Sequence, residues 1–107
     1  MQHLVDGHNL IPKLGLHLDS QDDEQELIVL LQEFCRVRRA RLEVYFDGAP
    51  PGHAGHRAAG TVDAYFIRKG SSADAAIEDR LQRLGRAARN WAVISSDQRV
   101  QAAAEAQ

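Results

Sequence analysis

Asp6, Asp47, Asp74 and Asp97 each stand where an apolar or β-rich run ends or a helix begins. Their settings are HLVDGHN, LEVYFDG, IRKGSSADAAIED and WAVISSD. In a chain that alternates strands and helices, the carboxyl ends of parallel strands line one edge of the sheet, and ligand sites form along it. Carboxylates gathered on one edge repel one another and lose hydration, so such a group needs a cation. All-oxygen donors suit hard divalent ions. This pattern is the reason to expect a metal-dependent enzyme.

Each aspartate also has an account that needs no ligand. Asp6-Gly7 and Asp47-Gly48 are common turn pairs after strands. Asp74 suits the first turn of a helix capped by Ser71 or Ser72, and Asp97 suits an N-cap. The four together on one edge favour a cation site over four independent turns and caps. At about 100° per residue, Asp74 lies beside the apolar stripe of its helix and Glu78 follows one turn later on the same side, whereas Asp79 points to solvent. Asn9, just past Asp6-Gly7, can orient Asp6 or a substrate phosphate, or cap a turn. Asp63 reads as a surface residue. His8 adjoins Asp6 and points either to substrate or to water. His53 and His56 form a His-x-x-His pair in a glycine-rich segment, which reads as solvated in the absence of a third ligand.

The elements that position these groups are legible from periodicity. Residues 2–6 form a short buried strand, residues 10–18 are irregular, and a helix runs from residue 19 or 20 to about residue 39 on Leu27, Leu30, Leu31 and Phe34. Residues 42–46 form a second strand. The stretch APPGHAGHRAAG, within residues 48–60, reads as a mobile loop without regular structure. Residues 61–67 form a third strand, residues 72–88 a helix, residues 91–95 a fourth strand, and Asp97 opens a last alanine-rich helix. This order specifies a single α/β domain over residues 1–107, with a mostly parallel sheet of about four strands covered by helices.

Composition narrows the partners. The chain of 107 residues carries a net charge of −2, so contact with a polyanion must come from a local patch. Arg68 and Lys69, at the end of the third strand, are the candidates for phosphate contact, with Lys13 a further one. The acidic run at residues 19–26 and the arginines within residues 36–41 sit at opposite ends of one helix, where the macrodipole favours those signs. One cysteine excludes an intrachain disulfide and a cysteine-rich zinc site. No apolar run reaches the length of a membrane span and no signal peptide opens the chain, so a cytoplasmic protein is expected. A receiver domain needs adjacent acids after its first strand and a late lysine, and a haloacid-dehalogenase nucleophile needs Asp-x-Asp. Neither pattern is present.

The ordered set LVDGHNLI, VYFDG, GSSADAAIEDRL and VISSD resembles the YacP-like group of the NYN branch of the PIN-like nucleases, and covers most of residues 2–98. That resemblance implies a PIN-like, Rossmann-like three-layer α/β/α fold and a Mg2+- or Mn2+-dependent endoribonuclease acting on mRNA, tRNA or rRNA. By position, Asp6, Asp74 and Asp97 match the family's principal metal-site acids, and Asn9, Asp47 and Glu78 its supporting positions. Relatives continue past the fourth strand and its helix, so the resemblance also implies a C-terminally shortened member. A shortened sheet leaves an edge open to homodimerisation. The alternative is a catalytically inactive RNA- or ribosome-binding module of the same fold.

Overall fold

The computed structural model describes residues 2–10 and 21–94. The sheet is built from β1 (Gln2–Asp6), β2 (Arg41–Ala49), β3 (Gly55–Ala59), β4 (Val62–Arg68) and β5 (Trp91–Ile94). Their spatial order is β3-β4-β2-β1-β5. The pairs β1–β2, β1–β5 and β2–β4 are parallel, and β3 is an antiparallel edge strand on β4. The helices are a four-residue turn α1 (Gly7–Leu10), α2 (Gln21–Arg38) and α3 (Ala73–Leu84), the last followed by a 3-10 turn over Gly85–Asn90. No described helix is long and apolar enough to cross a membrane.

Side-chain alternation along the strands divides the core into two layers. On one face Val5, Leu42, Val44, Phe46, Val62 and Ala64 pack with Leu27, Ile28, Leu31 and Cys35 of α2. On the other, Leu4 and Tyr45 pack with Ala73, Ile77 and Leu81 of α3. Each fully buried Leu, Ile or Val stabilises the fold by about 1.5–3 kcal/mol relative to exposure. This is the three-layer α/β/α arrangement of a PIN-like fold.

Three expectations are corrected. The stretch of residues 48–60 is not an irregular loop, because β2 continues to Ala49 and residues 55–59 form β3. Gly55–Ala59 has little intrinsic strand preference and becomes a strand by completing the outer edge of β4, which makes five strands among the described residues. The second helix stops at Leu84, since Gly85 takes φ +56° and its N–H bonds Leu81 O. Leu30 is about half exposed, and Ile28 fills the core place beside Leu27 and Leu31. The expected last helix lies outside the described residues.

Candidate active site

The carboxyl ends of β1, β2, β4 and β5 define the edge on which the acids were expected. Asp6 ends β1 and is only 5% exposed. By alternation it shares the face of Leu4, the α3 side of the sheet. Gly7 follows because nothing larger fits there: a Cβ at this position would lie 2.3 Å from the Phe46 ring. The chain therefore turns tightly over Phe46, and Asp6 is held at the edge.

Helix α3 starts at this same edge, because residues 69–72 lead straight into it from the end of β4. Ser72 caps it, its hydroxyl accepting from Ala75 N–H at 3.1 Å. The cap sets the helix phase so that Ala73, Ile77 and Leu81 face the sheet. Asp74 then lies in the first turn, where a carboxylate suits the helix dipole. Glu78 follows one turn on, and both are half-buried beside the apolar stripe. Asp79 is exposed and pairs with Arg83 at 3.0 Å. Asp6, Asp74 and Glu78 thus share the α3 side of the carboxyl edge. Among the described residues no three His, Cys, Asp or Glu side chains are grouped closely enough to hold a metal. Asp97 and Lys13 lie outside the described residues, and Asn9 is described only as part of α1. The donor chemistry of the described acids, oxygen alone, fits Mg2+ or Mn2+.

Asp47 sits elsewhere. The β2–β4 ladder shifts register between Phe46 and Ala49, and within that irregular stretch Asp47 Oδ1 meets His8 Nδ1 at 2.7 Å. The other ring nitrogen of His8 meets Glu24 Oε2 of α2 at 2.8 Å. His8 also lies against the Phe46 ring, with centroids 5.4 Å apart. The bond to Glu24 and then that to Asp47 raise the imidazole pKa to about 9 against the opposing effect of burial, so His8 is a cation at neutral pH. His8 therefore ties α1, β2 and α2 together beside Asp6. The acidic run containing Glu24 has an ordinary dipole explanation, which hid this role.

Arg68 and Lys69 are exposed at the end of β4, on the same edge. Lys69 N–H donates to Ala49 O at 3.3 Å, which fixes this corner to the end of β2.

A second ionic group lies toward the amino ends of the strands. Glu43 of β2 is 7% exposed and accepts two bonds from Arg80 of α3, at 3.1 and 3.0 Å, and one from Tyr45 Oη at 2.6 Å. Arg80 also lies 5.3 Å from the Trp91 ring centroid. Burial, followed by Glu43, drives the Tyr45 phenol far above its ordinary range, so it stays a donor. Glu43, Arg80 and Trp91, with Gln2 and Arg41, border a polar cleft of about 180 Å³. The sequence signal for this pair was Arg80, three residues past Ile77 on the sheet-facing side of the helix, opposite the lone charge in LEVYF.

A mostly parallel sheet between helices is consistent with a PIN-like α/β fold. The chain belongs to the YacP-like NYN domain family, which matches residues 3–107 and lies within the PIN-like nuclease superfamily. A search of curated proteins gave no match. Among solved structures, the chain is similar to Rae1 (YacP) from Bacillus subtilis in its W164L mutant form. The identity is 32% and the TM-score 0.64, over 95% of this chain and 62% of that one. It is also similar to a second structure of Bacillus subtilis Rae1 (YacP), at 28% identity and TM-score 0.55, over 79% of this chain and 52% of that one. The chain therefore spans roughly three fifths of the length of the first of these relatives.

Proposed function

We propose that the chain is a metal-dependent endoribonuclease domain that hydrolyses RNA phosphodiesters at the carboxyl edge of its sheet. The observation that carries this reading is the buried Asp6 at the end of β1, on the side of the sheet from which α3 presents Asp74 and Glu78. Family membership over residues 3–107 supports the same class of reaction.

Asp6, Asp74 and Asp97 would hold Mg2+ or Mn2+ in this reading. A divalent ion there supplies Lewis acidity, lowering the pKa of water and offsetting charge on the phosphoryl oxygens. The rest falls to side chains. Asp6 is fixed by the close turn at Gly7, so its carboxylate enters the site without losing freedom. Asp74, at a helix start, can orient a water toward phosphorus, and Glu78 supports it from the next turn. Asn9 orients Asp6 or a substrate phosphate. Arg68 and Lys69 bind the RNA backbone, with Lys13 as a further contact. The His8 bridge holds Asp47 as a structural support of the edge. The substrate class is mRNA, tRNA or rRNA, free or on the ribosome, in the cytoplasm.

One observation favours a second reading, an inactive RNA- or ribosome-binding module: the Asp47 carboxylate is already engaged by cationic His8. A single assay separates the two. Purified protein is incubated with labelled single-stranded RNA and Mn2+, Mg2+ or EDTA, alongside Asp6→Asn. Cutting that needs metal and disappears in the variant is the expected result. RNA binding without cutting would establish the binding module instead, and unchanged cutting by Asp6→Asn would place the chemistry elsewhere. Sedimentation of the purified chain tests whether it forms a homodimer.

A further inference from the structure

We propose that the β3–β4 hairpin is a stacking edge for unpaired RNA bases, with His56 and Arg57 as its two planar contact groups. This deepens the RNA reading above and rests on it for the identity of the ligand.

The two residues are neighbours on the outermost strand, so they point to opposite faces of the sheet. Each ends a row of stacked side chains that begins in the core. On the α3 face the buried Tyr45 ring stacks on Tyr65 with centroids 5.0 Å apart and planes at 12°. His56 stacks on Tyr65 in turn, at 4.7 Å and 28°. On the α2 face Phe46 stacks on Phe66 at 5.4 Å and 21°. The Arg57 guanidinium lies 5.4 Å from the Phe66 centroid. The strand register makes both rows possible, since Tyr65 pairs with Tyr45 and His56, and Phe66 pairs with Phe46.

Both terminal groups are presented to solvent. The His56 side chain is 47% exposed although Asp63 holds its Nε2 at 2.9 Å, and Arg57 is exposed. A flat group already held by a ring beneath it loses little freedom when a base stacks on its outer side. Nucleobases stack on aromatic and imidazole rings and on guanidinium planes, and they do so with little sequence preference.

Charge agrees with this occupant. Arg57, Arg68 and Lys69 are exposed on the hairpin and its corner, where Asp63 is turned onto the His56 ring. A chain of net charge −2 thus carries a local cationic surface. Arg68 and Lys69, at the carboxyl edge, would take phosphates while bases stack along β3, leading the strand toward Asp6. A duplex hides its base faces, so the surface selects single strands.

The test is binding of a fluorescein-labelled single-stranded oligoribonucleotide, and of the same sequence as a duplex, followed by anisotropy in EDTA so that no cleavage occurs. The single strand is expected to bind more tightly than the duplex. The double variant His56→Ala/Arg57→Ala should lose about ten-fold or more in affinity, consistent with the usual worth of one or two stacked bases. Arg57→Lys keeps the charge and the strand but not the plane, and should lose at least about three-fold. Unchanged affinity in Arg57→Lys and in the double variant would overturn the proposal, as would equal affinity for duplex or no binding by the wild type. Failure of the nuclease reading is distinguishable: wild type that binds in EDTA but never cuts with Mn2+ leaves the stacking edge standing.

Discussion

Replacing Arg80 with Leu isolates the cost of an uncompensated buried charge. Glu43 is 7% exposed, and among the described residues Arg80 supplies two of its three bonds, leaving the Tyr45 hydroxyl after substitution. Breaking a fully buried ion pair by removing one partner costs about 3–5 kcal/mol. The Arg80 side chain is 36% exposed, so water screens the pair and the expected loss falls to about 2–3 kcal/mol. In a domain of this size that lowers Tm by roughly 10–20 °C. Urea unfolding of the wild type, Arg80→Leu, Glu43→Gln and the double variant forms a cycle. The double variant should be more stable than Arg80→Leu, because the glutamine leaves no lone charge beside Tyr45. A coupling of about 1 kcal/mol or more is expected. Arg80→Lys should recover only part of the loss, since an ammonium cannot make the two parallel bonds of a guanidinium. A loss below about 1 kcal/mol in Arg80→Leu, or a double variant no better than that single one, would refute the reasoning.

Other predictions concern the edge that carries the acids. The pKa of His8, raised to about 9, lies above its ordinary unfolded value of 6.5, so its stabilisation is fully present below pH 6.5 and is lost as pH rises through 9. With its partners partly exposed, the amount is about 1–2 kcal/mol. Chemical denaturation across that window should show the wild type losing this much relative to His8→Gln, and parallel curves would remove the bridge from the account. Gly7→Ala pushes a methyl into the Phe46 ring and should cost about 1–3 kcal/mol, read from the urea midpoint; a neutral result would mean that the turn relaxes freely. Ser72→Ala removes the cap of α3 at a cost of about 1 kcal/mol, and Ser72→Asp should retain most of it. A thermal melt that ranks alanine equal to aspartate there would contradict the capping role.

Much of the architecture is a local matter, which is why it was legible in the chain. Strands β1, β2, β4 and β5 are short apolar runs, and α2 and α3 carry apolar residues at helical spacing. Their alternation is enough to specify a parallel sheet between helices. The same locality placed Asp6 at a strand end and put Asp74 and Glu78 on one side of a capped helix. Tertiary structure decided the rest. Gly55–Ala59 is a strand only because β4 offers an unpaired edge. Glu43, Arg80 and Trp91 converge from β2, α3 and β5, and His8 joins Glu24 to Asp47 across 16 and 39 residues of sequence. Those contacts depend on register and helix placement, and periodicity carries no record of which distant side chain will lie opposite. Sequence determined where the acids enter the fold. The packed sheet decided that Asp47 would be engaged by a histidine while Asp6 lies on the side of the sheet that carries Asp74 and Glu78 of α3, since alternation assigns a face only once a helix has been laid on it.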